Sequence, residues 1–163
     1  ILGRLAGGGL LQHVARRGWQ VPTFRMADMD AYIDVRETLE VKALDLARPR
    51  IEETEIDRML EGNRPKTARA SRIDNDLHGY FIACSQNRYI ESFFEANGRF
   101  YRALFDYATL SSRAMALMAG QHVEILENVK ARRWARARAA LAHHIRAQKP
   151  VMETMIAAHQ SKP

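Results

Sequence analysis

The chain has 163 residues, of which 47% are hydrophobic, and this fits one domain with a real core plus a smaller fragment. Twenty-five basic and 19 acidic residues give a formal net charge of +6, which favours a polyanionic partner. No apolar run approaches the roughly 18 to 20 residues of a membrane span, no signal peptide is visible and the single Cys84 forms no internal disulfide, so we expect a cytoplasmic protein without membrane contact.

The first predicted element is a β-hairpin near the start of the chain. In LLQHVARRGWQVP, two short apolar runs flank a basic tip formed by Arg16, Arg17 and Gly18. Short apolar runs on either side of a Gly-containing turn are typical of a hairpin. Taken alone, the two arginines fit a solvated basic turn. The chain starts without Met, at an apolar Ile1 in mid-pattern, so we expect that a preceding part is missing from this sequence.

Three predicted helices follow the hairpin. They cover about 29 to 47, 51 to 63 and 67 to 84, and proline lies at or near their ends. Asp28 is predicted to cap the first of them. Within that helix Arg36 and Glu40 are i,i+4 partners, most simply a surface ion pair.

The third helix carries a pair of polar residues on one face. Asp74 and His78 are four residues apart in IDNDLHGYFIACSQN, so they stack on a helix. Apolar residues lie beside them at Ile73, Leu77, Phe81 and Ile82. The pair is therefore predicted to face the interior.

Two further histidines lie at mirror-image positions about a predicted turn. His122 and His144 are 144 − 122 = 22 residues apart, with their midpoint at residue 133. One unbroken helix would separate them by roughly 33 Å. If the chain reverses at Arg132–Arg133, both imidazoles lie at the same height of a helical hairpin and can converge. Apolar neighbours at helical spacing predict that both point inward: Met115, Met118, Ile125 and Val129 around His122, and Ala137, Ala140, Leu141 and Val151 around His144.

One carboxylate and three imidazoles from three helices form a ligand set for a divalent transition metal. Imidazole suits zinc, nickel, iron and copper, and aspartate adds a hard oxygen. The predicted ligands are Asp74, His78, His122 and His144. A single inward histidine is more often a hydrogen-bonded core residue than a ligand, so a metal-free core is the alternative. The coincidence of the Asp/His pair with two height-matched histidines favours the metal.

The remaining elements complete a bundle. After Asn87, which ends or caps a junction, residues 89–104 form an aromatic helix suited to a core or a dimer surface. The first helix of the hairpin starts at Ser111–Ser112. Because an interior proline kinks a helix, Pro150 predicts a bend near 146–149. The predicted fold is all-α, an antiparallel bundle of about six helices preceded by the short β-hairpin.

These residues resemble the FCD subfamily, the ligand-binding domain of GntR-type bacterial transcription regulators. The family pattern begins with D-x-x-x-H, followed by a small residue and Gly-Asn. It continues with E-H-x-x-I-x-x-A-I and ends with a last His 22 residues after the His of that motif. In this chain the matching positions are Asp74 and His78, Cys84-Ser85-Gln86-Asn87, Gln121-His122, and His144. The opening helix YIDVRETLEVKALDLAR also resembles that of the family. Gln121 departs from the usual Glu, which would alter a contact behind the ligands, and Arg132–Arg133 replace a common Gly-Asp turn, which removes a capping Asp.

The resemblance implies that residues 28–160 form a metal- and effector-binding domain. The four ligands named above would hold zinc, nickel, manganese or iron, with coordination positions left open for a small organic acid. Arg36 would then face the ligand cavity and take a carboxylate bidentately. Asn87, at the end of the small-Gly-Asn step, is assigned to the effector site as well.

The resemblance also implies that residues 1–24 are the end of a winged helix-turn-helix, with the tail of the recognition helix followed by the wing. Arg16, Arg17 and Gly18 match the wing tip that reaches the minor groove and phosphates of double-stranded operator DNA. Palindromic operators imply a homodimer. The implied function is that of a ligand-responsive transcription regulator, such as a repressor, in which effector binding changes helix packing and, by linkage, DNA affinity.

Other function classes have weaker support. The chain contains no G-x-S-x-G, H-E-x-x-H, P-loop or Rossmann glycine pattern, so we expect no enzyme. A metal-dependent hydrolase or lyase would need a general base beside the four ligands, and the inward faces offer no obvious carboxylate for it. A metal-free helical dimerisation domain with core histidines is the third possibility.

Overall fold

The computed structural model describes residues 12–20, 26–64, 75–107 and 111–160. In chain order the elements are strands β1 (Gln12–Val14) and β2 (Gly18–Gln20), helix α1 (Met26–Ala47), a 3-10 turn (Arg48–Arg50), and helices α2 (Glu53–Asn63), α3 (Asp76–Ser85), α4 (Arg88–Tyr107), α5 (Ser112–Lys130), α6 (Trp134–Ala147) and α7 (Lys149–Gln160). The all-α prediction is confirmed. Since α6 and α7 are two parts of one helix interrupted at Gln148, the described residues contain the six helices that were expected.

The hairpin predicted near the start of the chain is present. Strands β1 and β2 pair antiparallel, with Val14 opposite Gly18. The backbone N–H of Arg17 donates to the Val14 carbonyl at 3.0 Å and closes the turn. Arg16 and Gly18 both adopt positive φ, 65° and 73°, and glycine does so without steric cost. The predicted tail of the recognition helix falls in residues 1–11, outside the described residues.

Helix α1 lies at the centre of the bundle and packs against α3, α6 and α7. Five of its buried residues recur at spacings of three, four and seven along a single face: Met29, Ile33, Glu40, Leu44 and Ala47. The half-buried Arg36 lies in the same line. Two charged side chains therefore project from α1 toward the neighbouring helices.

The chain reverses between α5 and α6 where the sequence predicted it. The N–H of Arg132 donates to the Val129 carbonyl at 2.9 Å, and that of Arg133 donates to the Asn128 carbonyl at 2.8 Å. Arg132 adopts a left-handed φ of 54° to make this turn. Arg133 precedes α6 without a side-chain capping bond, as expected from the missing Asp. The two helices pack closely, and α5 also packs against α2.

Most of the predicted helix ends are confirmed. The Asn87 side-chain oxygen accepts from the N–H of Tyr89 at 3.1 Å and caps α4. Ser111 Oγ accepts from the N–H of Ala114 at 3.2 Å and caps α5. The predicted start of α1 is wrong, because the helix begins at Met26 and Asp28 lies in its first turn, where a negative charge suits the helix dipole.

The interruption predicted near Pro150 occurs at Gln148. Proline has no N–H to continue the helix, and the N–H of Gln148 reaches the Ile145 carbonyl at 3.3 Å. Helix α7 then resumes, with the N–H of Met152 bonded to the Gln148 carbonyl at 3.0 Å.

The core joins the inward faces of six helices. Its fully buried large side chains are Phe81, Met29, Ile33, Leu44, Ile56, Met59, Leu77, Ile125, Leu126, Leu141, Ile145 and Met152. Among the helices in the described ranges, none is both long and apolar enough to cross a membrane.

Candidate metal centre

Three histidines from three helices meet inside the bundle. His78 comes from α3, His122 from α5 and His144 from α6, and the two hairpin histidines are 0% exposed. Their Nε2 atoms lie 3.1 Å apart. The ring of His78 lies 5.4 Å from that of His122 and 5.2 Å from that of His144, measured between centroids. One ring nitrogen of each histidine lies within 4.8 Å of the other two, so the predicted convergence of the three imidazoles is observed.

Two of the other predicted site residues are not part of this cluster as described. The predicted third helix, about 67 to 84, is wrong at its start, because α3 begins at Asp76 after Asn75. Asp74 lies outside the described residues. Its role as a fourth ligand therefore stays a prediction. The side-chain oxygen of Asn87 is used to cap α4, and its assignment to an effector site is likewise untested.

The protonation of His122 follows from its partner Asn63. The Asn63 amide nitrogen donates to the Met59 carbonyl at 2.9 Å, which leaves the Asn63 oxygen to face the histidine. That oxygen lies 3.1 Å from His122 Nδ1 and can only accept, so Nδ1 carries the proton. The Nε2 atom of His122, which faces His144, is consequently the unprotonated nitrogen of the neutral ring.

The protonation of His144 follows from a chain of side chains that begins at Arg36. A guanidinium only donates, so Arg36 Nη1 donates to Gln148 Oε1 at 2.6 Å. The other end of that amide is then a donor, and it lies 2.9 Å from His144 Nε2. His144 Nε2 accepts, and Nδ1 donates to the Gln121 oxygen at 2.9 Å. Gln121, the departure from the family pattern, thus contacts the ring behind its metal-facing nitrogen.

His78 is oriented by a carboxylate. Its Nδ1 lies 2.5 Å from Glu40 Oε2, and the carboxylate accepts the Nδ1 proton. Its Nε2 is buried and has no hydrogen-bond partner among the residues that the structure describes. A buried polar atom without a partner costs about 1 to 3 kcal/mol. A divalent transition metal is one partner that satisfies the lone pair of such an imidazole nitrogen.

The donor set fits a divalent transition metal. In all three rings Nδ1 is held by a side-chain oxygen, which is the usual arrangement behind metal-bound histidines because it fixes the tautomer and makes Nε2 more basic. Two of the three Nε2 atoms face each other at 3.1 Å, where a shared cation would replace repulsion between lone pairs by attraction. The histidines come from α3, α5 and α6, whereas the side chains that orient them come from α1 (Glu40), α2 (Asn63) and α5 (Gln121).

The prediction that Arg36 and Glu40 form a surface ion pair is wrong. Their side chains are 11% and 3% exposed, and Arg36 Nε donates to Glu40 Oε1 at 2.5 Å inside the bundle. Burial by itself would raise the pKa of Glu40, but the charge of Arg36 and the hydrogen bonds from His78 and Arg36 outweigh it and lower the pKa from 4.5 to about 2. Glu40 is therefore ionised and paired at any physiological pH.

Glu40 also corrects the prediction that no further carboxylate faces the site. It lies beside His78, yet each of its oxygens already accepts a hydrogen bond, one from Arg36 and one from His78. An efficient general base has a pKa near the working pH, and that of Glu40 is about 2. This carboxylate is suited to orienting a ligand and poorly suited to the base catalysis that a hydrolase requires.

A groove of about 550 Å³ lies elsewhere, between α2 and the end of α5. It is lined largely by charged side chains, and its cations are paired: Lys130 Nζ lies 2.5 Å from Asp57, and Arg64 lies 3.5 Å from Glu127. None of its lining residues belongs to the histidine cluster. The groove is a solvated ion-pair surface and no part of the metal centre.

Gln121 was expected behind the ligands, and its side-chain oxygen lies 2.9 Å from His144 Nδ1. Three other side chains around the histidines were not predicted as site residues: Glu40, Asn63 and Gln148. A signal existed for two of them. Glu40 falls on the apolar stripe of α1, and Gln148 lies four residues beyond His144, which places it on the same helix face. A polar residue on an apolar stripe near a predicted ligand is therefore a candidate for contact with that ligand.

Fold and centre together define the protein as a helical bundle with a buried cluster of imidazoles suited to a transition metal. The family model of the FCD domain matches residues 31–147, and the chain belongs to this family. FCD domains are typical of ligand-responsive regulators of the GntR family and are often metal-binding. A comparison with curated proteins found no match.

Proposed function

We propose that residues 28–160 form the sensor domain of a ligand-responsive transcription regulator of the GntR type. In this proposal His78, His122 and His144, with Asp74 as a fourth ligand, hold one divalent transition metal: zinc, nickel, manganese or iron. The observation that carries the proposal is the common orientation of the three rings: Nδ1 of each is bonded to a side-chain oxygen, and one ring nitrogen of each lies within 4.8 Å of the other two. A purely structural trio of histidines has no need of this shared orientation.

The proposed effector is a small organic acid that completes the coordination. Arg36 supports this part of the proposal. Its Nε is bonded to Glu40 and its Nη1 to Gln148, whereas its Nη2 has only a 3.4 Å approach to His78 Nδ1, whose proton already goes to Glu40. A guanidinium N–H beside the metal position can donate to the carboxylate of a metal-bound acid. Since the ligands come from three helices, such an acid would alter how those helices pack.

The proposed output is a change in affinity for operator DNA, through a winged helix of which residues 1–24 are the end, in a homodimer. Arg16 and Arg17 are exposed at the tip of the hairpin, as contact with phosphates requires. In a protein that carries the complete winged helix, replacing Arg16 and Arg17 by alanine should weaken the binding of operator DNA and reduce the salt dependence of that binding. An unchanged salt dependence would exclude the wing from the interface.

Metal analysis tests the sensor proposal directly. The protein is stripped with a chelator, reloaded separately with Zn²⁺, Ni²⁺ and Mn²⁺, desalted and analysed for bound metal. We expect about one ion per chain for at least one metal, and loss of it in His122→Ala and His144→Ala variants that keep their helical circular dichroism. The matched control is His143→Ala, which removes the exposed imidazole directly before His144. Absence of stoichiometric metal in the reloaded wild-type protein would reject the proposal.

The effector is tested on the reloaded protein with a panel of small mono-, di- and tricarboxylic acids. We expect at least one to raise the thermal midpoint of the metal-loaded wild type and to lose this effect in Arg36→Gln. If the same acid stabilises the variant and the wild type equally, Arg36 has no part in its recognition.

A further inference from the structure

Gln148 occupies a special place in the bundle. It is the residue between α6 and α7, its side chain is turned inward, and it is only 3% exposed. Its amide joins two groups of the metal centre, since Oε1 accepts from Arg36 Nη1 at 2.6 Å and Nε2 lies 2.9 Å from His144 Nε2. Like Glu40, it contacts both a proposed metal ligand and the proposed effector arginine, but it meets the histidine at Nε2, whereas Glu40 meets its histidine at Nδ1.

The orientation of this amide has a chemical consequence. Because Arg36 can only donate, the Gln148 oxygen must face it, and the NH₂ group must face His144. The Nε2 of a neutral imidazole has a single lone pair in the ring plane. That lone pair either accepts the hydrogen bond from Gln148 or coordinates a metal ion. Both together are impossible.

We propose that Gln148 is an internal competitor of the metal, and that loading of the site displaces its side chain and loosens the junction between α6 and α7. This inference rests on the proposed metal site. It adds a way for metal binding to change the structure at the start of α7. The amide occupies two binding positions at once. Its NH₂ group donates to the His144 lone pair that would otherwise coordinate the metal, and its oxygen accepts from an Arg36 N–H that would otherwise bind a carboxylate.

The junction depends on this side chain because its backbone bonds are few. Pro150 has no N–H, and the N–H of Gln148 contacts the carbonyls of Ile145, at 3.3 Å, and Arg146 in place of the regular helical bond to the residue four positions back. Displacing the Gln148 side chain removes its bonds to α1 and α6 together. Beyond the junction, α7 stays attached to α1 by the buried Met152 and by Lys149, which lies 3.2 Å from Asp30. The expected change is local to the start of α7.

Metal affinity provides the first test. Gln148→Leu removes donor and acceptor at nearly constant volume, and Gln148→Ala serves as a second variant should the leucine perturb folding. We expect Zn²⁺ to bind the variants about threefold to tenfold more tightly than the wild type, the gain from removing one competing hydrogen bond, measured by competition with a chromophoric chelator. Gln121→Leu is the matched control: it contacts the other nitrogen of the same ring, and its loss should weaken binding.

Amide hydrogen exchange provides the second test. In the wild type, Zn²⁺ should accelerate exchange at the start of α7, while the histidine-bearing helices become more protected. In chelator-stripped Gln148→Leu the start of α7 should already exchange at the faster rate, and Zn²⁺ should add nothing there.

The outcomes separate this inference from the proposed function. If wild-type protein binds no Zn²⁺, both fail. If it binds Zn²⁺ and the Gln148 variants bind equally well, the metal site stands and the competitor is rejected. Weaker binding by both variants would make Gln148 a supporting ligand or a structural residue and would equally reject the inference. Tighter binding together with the altered exchange of α7 supports it.

Discussion

The side-chain oxygen of Gln121 lies 2.9 Å from Nδ1 of His144, across the hairpin formed by α5 and α6. Gln121 immediately precedes His122, so neighbouring residues of α5 contact opposite nitrogens of the same His144 ring: Gln121 at Nδ1 and His122 at Nε2. The FCD domains that this chain resembles usually carry Glu at this position. A neutral acceptor here means that the His144 ring donates to an amide in place of a carboxylate.

This contact leads to a prediction about metal affinity. Gln121→Glu should tighten metal binding, because a carboxylate accepts the Nδ1 proton more strongly and makes Nε2 more basic. Gln121→Leu should weaken it by about 10- to 100-fold, the usual effect of removing such a partner. Both dissociation constants are measurable by chelator competition. Equal affinities for all three proteins would mean that the contact does not tune the metal centre.

His144 predicts how the stability of the metal-stripped protein depends on pH. Burial, and then unfavourable electrostatic interactions with neighbours that include Arg36, lower the pKa of His144 far below its ordinary 6.5. The unfolded chain therefore binds a proton below pH 6.5 that the folded chain does not, and His144 should remove about 1.4 kcal/mol of stability per pH unit as the pH falls below that value. Urea unfolding between pH 7.5 and 5.5 measures this slope.

The variant His144→Gln should lack this part of the slope, and the exposed His143→Gln should keep it. Parallel pH profiles for the wild type and His144→Gln would contradict the prediction.

Glu40 predicts a large effect on folding. Among the residues that the structure describes, Glu40 carries the only negative charge paired with buried Arg36. Glu40→Gln removes that charge, and breaking a buried ion pair in this way costs about 3 to 5 kcal/mol. The free energy of unfolding at pH 7 measures the loss. As a control, Glu55→Gln breaks an exposed pair with Arg58 and should leave stability almost unchanged.

The Glu40 contribution has its own pH range. Because the folded pKa is lowered to about 2 from 4.5, the contribution is complete above pH 4.5 and is lost as the pH falls toward 2. Wild type and Glu40→Gln should therefore converge in stability in acid. A constant difference down to pH 2.5 would show that packing, and no ionic effect, accounts for the loss.

Asp74 is the predicted ligand outside the described residues, and a substitution tests it. Asp74→Asn should weaken metal binding at least as much as the roughly 10- to 100-fold loss that follows removal of an orienting partner. Asp76→Asn, two positions further along, is the matched control, since Asp76 is exposed and lies 3.2 Å from Arg58. If both variants bind metal like the wild type, the site is formed by histidines without Asp74.

The part of the site that local sequence patterns determine was predictable. The symmetric positions of His122 and His144 about Arg132–Arg133 encode a hairpin, and apolar residues at helical spacing turn both rings inward. These two patterns predicted that the imidazoles converge, and the structure places their Nε2 atoms 3.1 Å apart. The caps at Asn87 and Ser111 were equally local, because each side chain bonds to backbone two or three residues away.

The part that depends on the relative placement of distant helices was not predictable. Gln148 meets Arg36 across 112 residues, and Glu40 meets His78 across 38. Periodicity within one helix determines which face is inward but not which residue of another helix lies opposite. For this reason Arg36 and Glu40 were interpreted as a surface pair, although their helix packs against three others.

The turn at Arg132–Arg133 restricts how this protein can vary. Each residue added within α6 ahead of His144 would rotate the ring about 100° around the helix axis and carry it away from His122. Substitutions on the outer face of the hairpin leave that geometry intact. Insertions and deletions between the two histidines should accordingly be far less tolerated than exchanges of side chains, so the length of this segment is itself under functional constraint.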